Sequence, residues 1–338
     1  MLAVVFDKPG SMGVREVPEP EPGPGEVLIR VSRAGLCGTD VHIYRGEYPS
    51  PLPLTPGHEF CGTVAKLGAD VAGLSEGERV TADPNLDCGQ CEFCRQQLNN
   101  HCENWQAIGV TLPGALAEYV VVPARVCYAL PDAIDDQAGA LVEPLACVVH
   151  AMNRIDLSVG RSALLFGAGP MGLLLVQTLR QAGAAEVVVV EKQPGRLELA
   201  GELGADRTIA ADGGEHEQLR ELRPRGFDLV VDATGVPAVI ERALGHLRPG
   251  GQYLQFGVAP TEATIHLKPF ELFRYDWTLV GSFAVRYTFE QAIALLGTGT
   301  LRTQPLVSHT VGLDEFAAGF ERFAAGRSLK VQVGFADS

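Results

Sequence analysis

Two textures of hydrophobic patterning divide the chain. Through about residue 150, short runs rich in β-branched residues, such as Val27–Val31, Gly62–Ala65 and Glu78–Thr81, are separated by turn formers, and Pro18–Gly25 alternates proline with glutamate and glycine. That texture predicts a β-rich lobe with turns. Beyond it Ser162–Phe166 is a continuous apolar run of buried-strand length, Val187–Val190 is another apolar run, and Phe227–Asp232, Gly251–Phe256 and Trp277–Gly281 are strand-like. Helical stretches lie between them, so the segment 151–284 is expected to form an α/β domain, an open, doubly wound parallel sheet with helices on both faces. After residue 284 a helical stretch, Phe289–Leu296, precedes a strand-like tail, Leu329–Val333. This tail, 285–338, is expected to return to the first lobe, 1–150, with a cofactor cleft between the two domains. Internal repeats and low-complexity linkers are not evident.

Composition narrows the class of function. At 338 residues the chain exceeds the size at which one core keeps growing. Its net charge of −14, from 27 basic and 41 acidic residues, argues against nucleic acid or an anionic membrane as main partner. The apolar run Met1–Phe6 is cut off by Asp7 and Pro9, too early for a signal peptide, and no apolar run is long enough to span a bilayer. A cytoplasmic location is expected. There the eight cysteines would stay reduced, which points to metal or catalysis before disulfides.

Three constellations carry chemistry. Gly57-His58-Glu59-Phe60-Cys61-Gly62, with Cys37 upstream and Glu143 downstream, offers thiolate, imidazole and carboxylate from separated segments. Such donors suit a catalytic zinc with an open position. The plainer alternative is a core histidine and a small buried cysteine. Thr39, Asp40 and His42 follow Cys37 and can position substrate, support a ligand or carry protons; Thr39 or Asp40 could equally cap a helix. Second, Cys88, Cys91, Cys94 and Cys102 are spaced to enclose one structural zinc and staple a loop, over about 83–103, that lacks its own core; an iron–sulfur cluster is the competitor. Third, Gly167-Ala168-Gly169-Pro170-Met171-Gly172 lies between a strand and a helix, and Glu191 ends the next apolar run. The glycines admit a pyrophosphate to the helix N-terminus and Glu191 can accept from ribose hydroxyls, which favours NAD. Lys192 and Arg196 keep NADP open. Gly257, Val258, Ser282 and Phe283, just after the last strands, are either nicotinamide neighbours or ordinary strand-end turns.

With these motifs in this order, the chain resembles the zinc-containing medium-chain alcohol dehydrogenases over essentially its whole length. Gly57-His58-Glu59-x2-Gly62-x5-Gly68-x2-Val71 matches that family's zinc signature. The resemblance implies a GroES-like catalytic domain and a Rossmann cofactor domain, two zinc ions per chain, and hydride transfer between a secondary alcohol and NAD. Cys37 and His58 would be catalytic zinc ligands, with Glu59 a ligand or near neighbour and Glu143 at the third-ligand position. Thr39 and His42 would form the proton relay, and Asp40 would support the zinc-bound histidine. A homo-oligomer is implied, a tetramer ahead of a dimer. Asp83-Pro84-Asn85 and Glu143-Pro144 resemble the sorbitol, xylitol and arabinitol dehydrogenases, although Ile43 and Ala284-Val285 stand where mammalian-type sorbitol enzymes carry a Tyr and an Arg-Tyr pair. Cys37-Gly38-Thr39-Asp40-x-His42-Ile43-Tyr44 is shared with L-threonine 3-dehydrogenases, so a small-molecule polyol, sugar or cyclitol competes with an amino alcohol as substrate. A zinc-free quinone reductase would lack the cysteine lobe and the Cys/His pair; a protein without turnover would have lost a ligand or relay residue.

Overall fold

The strand Glu26–Gly35 organises the N-terminal part of the computed structural model, which describes residues 1–335. Val27, Ile29 and Val31 alternate into the core, and the strand pairs antiparallel with Glu59–Leu67, Tyr119–Pro123 and Lys330–Gly334. A seven-stranded sheet results, running Val307–Val311, Lys330–Gly334, Glu26–Gly35, Glu59–Leu67, Arg79–Ala82 and Cys127–Ala129, with Tyr119–Pro123 beside Glu26–Gly35. It belongs to a unit made of Met1–Ala146 and the stretch from Val285 onward. Phe6, Tyr44 and Phe320 meet edge to face at 5.1–5.7 Å between centroids and tie the C-terminal helix Phe316–Ala324 to the N-terminal strand Leu2–Lys8. The last strand therefore runs beside the first lobe's central one. Leu36 N donates to Val331 O at 2.9 Å immediately before Cys37.

The second unit, Cys147–Ala284, holds a six-stranded sheet in the order Arg207–Ala210, Glu186–Glu191, Ser162–Phe166, Phe227–Asp232, Leu247–Gln255, Thr278–Gly281. Every neighbouring pair is parallel. Numbered along the chain this is 3-2-1-4-5-6, the doubly wound dinucleotide-binding order, whose switch point lies beside Ser162–Phe166. All five residues of that strand are buried, as its unbroken apolar run predicts. Five of the six strands coincide with apolar or strand-like runs in the sequence. Arg207–Ala210 does not: only Ile209 is buried on this edge strand, so no hydrophobic run marks it.

Candidate active site and metal centres

Where the strand Glu26–Gly35 ends, Cys37 becomes the N-cap of the helix Gly38–Arg45. The N-cap position that the plainer alternative gave to Thr39 or Asp40 is held by Cys37, with Asp40 completing a capping box. Asp40 sits at the third helical position and its Oδ2 accepts from Cys37 N at 2.8 Å, so the carboxylate stabilises the helix start from inside. Thr39 Oγ1 lies 3.7 Å from Cys37 Sγ. Glu59 opens the paired strand Glu59–Leu67, opposite Gly35 in register, and His58 immediately precedes it. A Cβ at Gly35 would come within 2.4 Å of Glu59 Oε2, so only glycine lets this carboxylate lie flat against the neighbouring strand.

Cys37, His58 and Glu59 bring one donor atom each to within 4.8 Å of one another. His58 is 6 % exposed, Glu59 1 % and Asp40 0 %. His58 Nδ1 faces Asp40 Oδ1 at 3.7 Å, and these two atoms and Glu59 Oε2 are buried without a hydrogen-bond partner. Burial opposes a charged His58, yet the negative charge at Cys37 and Asp40 holds its pKa well above the ordinary value. Burial raises the Asp40 carboxyl in turn. Thiolate, imidazole and carboxylates thus crowd a dry site with too little positive charge, and a divalent cation fits that deficit. The donor set suits zinc.

Glu143, buried near the start of the helix Val142–Met152, lies outside this triad, although its charge reaches His58. His42 is about half exposed, and its Nδ1 lies 2.6 Å from Glu47 Oε2. Sequence reasoning missed Lys330. Its ammonium, 4 % exposed, donates to Glu59 Oε1 at 2.7 Å and to Leu36 O at 3.0 Å, and so fixes the Glu59 carboxylate. Burial would lower its pKa, but Glu59 and Cys37 raise it, so it stays charged.

The second candidate metal centre gathers Cys88, Cys91, Cys94 and Cys102, whose sulfurs lie within 4.8 Å of one another. Cys91 Sγ and Cys94 Sγ are 3.4 Å apart, Cys88 Sγ and Cys94 Sγ 4.0 Å. Sulfurs about 2.3 Å from a common tetrahedral zinc stand roughly 3.8 Å apart, so the cluster fits that ion. Backbone N–H groups of Cys88 and Asn104 donate to Cys102 Sγ, and that of Cys91 to Cys88 Sγ. Hydrogen bonds from the Gln90 and Cys91 backbone draw the Cys88 thiol down to about 6, favouring the thiolate. All four cysteines are free of disulfides.

In the second unit, Gly167 has φ +98°, and Gly169 caps the helix Pro170–Gln181 with Pro170 in its first turn. A Cβ on Gly172 would stand 2.1 Å from Gly167 O, so this glycine permits the tight strand-to-helix approach. Met171 follows Pro170 in the same first turn. Glu191 Oε2 accepts from Ala168 N at 2.8 Å, while Oε1 accepts from Lys192 N at 2.7 Å and Gln193 N at 3.0 Å. The guanidinium of Arg196 comes to 4.0 Å from where a Gly169 Cβ would be. Buried Asp232, another residue the sequence did not single out, accepts from Gly235 N, Thr234 Oγ1 and Gln255 Nε2 and ties two strand ends together. Gly257 N donates to Asp232 O, and Ser282 N to Gln255 O. Val258 and Phe283 beside them are 89 % and 54 % exposed. These turns stand at the carboxyl ends of parallel strands, where ligands of open α/β sheets bind.

Comparison with known proteins agrees with this geometry. Residues 23–132 match the alcohol dehydrogenase GroES-like domain, and residues 170–298 match the zinc-binding dehydrogenase family. The chain belongs to the zinc-binding alcohol dehydrogenases. D-arabinitol dehydrogenase 1 of Uromyces fabae is 36 % identical over 98 % of this chain and 97 % of its own length. D-altritol 5-dehydrogenase of Agrobacterium fabrum is 37 % identical over 98 % and 99 %. A crystal structure of a zinc-binding dehydrogenase from Sinorhizobium meliloti 1021, bound to NADP, superposes with a TM-score of 0.95 at 35 % identity, covering 99 % of both chains. The protein is therefore an NAD(P)-dependent, zinc-type enzyme that interconverts an alcohol and a carbonyl compound.

Proposed function

We propose that this alcohol dehydrogenase oxidises a secondary hydroxyl of a polyol, sugar alcohol, sugar or cyclitol to the ketone, with NAD ahead of NADP as acceptor. The observation that carries the proposal is the triad of half-buried Cys37 with buried His58 and Glu59, in which His58 Nδ1 and Glu59 Oε2 have no hydrogen-bond partner. When bound, zinc supplies Lewis acidity that makes a hydroxyl easier to deprotonate, and the nicotinamide supplies the hydride acceptor. Asp40 orients His58 from behind, and Lys330 restrains Glu59. Thr39, beside Cys37, relays the hydroxyl proton, accepting it as it releases its own toward His42, which, backed by Glu47, passes a proton to solvent or a cofactor hydroxyl. Glu143 acts as an outer carboxylate, through water. In the second unit the Gly167–Gly172 turn receives the pyrophosphate at a helix N-terminus, and Glu191 meets the adenosine ribose. Lys192 and Arg196 are the groups that would accept a 2′-phosphate. Gly257, Val258, Ser282 and Phe283 border the nicotinamide.

The polyol reading is supported by the named substrates of the two relatives above, arabinitol and altritol. We further propose a cytoplasmic homo-oligomer, a tetramer ahead of a dimer. Among the described residues no helix is long and apolar enough to cross a membrane. The edge strand Thr278–Gly281 has one open side, with Phe270, Phe273 and Leu279 exposed nearby in the sequence, as a self-associating edge would. The test is a panel of polyols, sugars, cyclitols and L-threonine with NAD and NADP, followed at the reduced-nicotinamide absorbance, alongside metal analysis. Turnover of a polyol by protein carrying about two zinc per chain is expected. Full activity without metal would reject the mechanism, and preference for threonine would reject the substrate class.

A further inference from the structure

A cavity of about 500 Å³ opens on the cofactor-binding unit, and neither the glycine turn nor Glu191 lines it. His216 and Arg220 reach it from the helix Glu215–Leu222, four residues apart and so on one face. Arg242 comes from the last turn of the helix Pro237–Leu244, His246 from the turn after it, and Leu267 and Trp277 from the segments beyond. The volume falls within the range of about 300–1,000 Å³ typical of small-molecule pockets.

The two histidines are not a metal chelate. His216 Nδ1 and His246 Nε2 are 2.7 Å apart, with ring planes at 6° and centroids 5.1 Å apart, so the nitrogens point at each other in a common plane. Imidazoles on one metal ion aim their lone pairs at a shared third point instead. This pair shares a proton. Glu215 Oε1, 3.4 Å from His216 Nε2, favours the arrangement in which His216 donates to Glu215 and accepts from His246. Burial lowers the pKa of both rings, that of His246 to about 4, so the pair is uncharged at neutral pH.

Positive charge is in excess by one on the lining, with Arg220, Arg242 and Lys268 against the carboxylates of Glu241 and Glu271. Lys268 Nζ pairs with Glu271 Oε1 at 3.1 Å, and His266 Nδ1 faces Glu241 Oε2 at 3.7 Å. Arg220 and Arg242 have no ion pair among the described residues, and the charge of both depresses His216. Each stands in the last turn of its helix, where a cation complements the carbonyl end. That role explains one arginine per helix. It does not explain why both face a single cavity in a chain of net charge −14. Guanidinium forks match phosphate oxygens, and Leu244, Leu267 and Trp277 give the same cavity an apolar side. We propose that the cavity binds a small organic phosphate monoester, its phosphate held by Arg220 and Arg242 and its organic part against Trp277 and Leu267.

The chain has two tryptophans, Trp105 and Trp277, so indole fluorescence reports on this cavity. The probe is phenyl phosphate, which has no alcohol to oxidise, with inorganic phosphate and phenol as controls. NAD is kept at saturation so that the pyrophosphate turn is filled. Expected are saturable binding of one phenyl phosphate per chain by calorimetry, a fluorescence change that disappears in Trp277→Phe, and at least tenfold weaker binding in Arg220→Ala/Arg242→Ala. The double variant should melt with the parent and bind NAD normally. Inorganic phosphate should bind more weakly, and phenol not measurably. Absence of saturable binding to the parent protein, or affinity unaltered in the double variant, overturns the site. Equal affinity for inorganic and phenyl phosphate overturns the organic subsite.

Discussion

Lys330 is the side chain on which the buried Glu59 carboxylate depends most directly, and replacing it with methionine isolates that dependence. Its ammonium donates to Glu59 Oε1 at 2.7 Å, and the two side chains are 4 % and 1 % exposed. Methionine fills much of the same volume but leaves the Glu59 carboxylate buried beside Cys37 and Asp40 without a cation. Breaking a buried pair by removing one partner costs about 3–5 kcal/mol. For a unit of this size the melting temperature should fall by roughly 6–20 °C. Lys330→Met with Glu59→Gln removes both charges and should recover most of the loss, because the buried uncompensated charge is gone. Bound zinc also compensates Glu59, so the Lys330→Met loss should be larger after chelation than in metal-loaded protein. Thermal melts of the parent, both single variants and the double variant, with and without chelator, measure every term of this cycle. A Lys330→Met protein that melts with the parent would refute the reasoning, as would a double variant no more stable than the sum of the singles predicts.

The glycine turn, the four cysteines and the Cys37, His58 and Glu59 set were all legible in the sequence, because each is chemistry concentrated in a short motif or a few rare residues. The strands of the parallel sheet were legible where a run of strand formers marks them, which includes the mostly exposed edge strand Thr278–Gly281. Arg207–Ala210 was not, because an edge strand needs only Ile209 inside. Lys330 was hidden for the opposite reason. In Lys330-Val331-Gln332-Val333 the polar positions read as a solvent face, yet both are buried. Pairing with Glu26–Gly35 turns Lys330 and Gln332 inward beside the site, and that pairing is long-range. Asp232 was likewise taken for the end of an apolar strand; its role as a clasp depends on Thr234, Gly235 and Gln255 folding around it.

Cys37→Ser and His58→Ala should each abolish alcohol oxidation while NADH still binds, as fluorescence titration will show; retained turnover would remove these residues from the mechanism. Cys94→Ala should reduce bound zinc from about two to about one per chain and lower the melting temperature, and unchanged melting would contradict a structural role. Glu191→Ala should relax discrimination against NADP by roughly tenfold or more in the ratio of kcat/KM values, since it removes a charged reader of the ribose; an unaltered ratio would assign selectivity elsewhere. Asp83, beside the cysteine lobe, carries a prediction in pH. Burial pushes its carboxyl up to about 6, although Asn85 N and Nδ2 both donate to it at 2.9 Å. A carboxyl whose pKa is higher folded than unfolded binds its proton more tightly in the native state, so its contribution to stability is complete below about 4 and lost as the pH climbs to about 6. The effect is worth at most about 3 kcal/mol. Asparagine keeps an oxygen acceptor for both Asn85 donors and never ionises, so Asp83→Asn should melt at or above the parent at pH 7, with the difference shrinking toward pH 4. Were the parent instead to gain on the variant as the pH rises, the Asn85 hydrogen bonds would outweigh burial and the sign of the argument would be wrong.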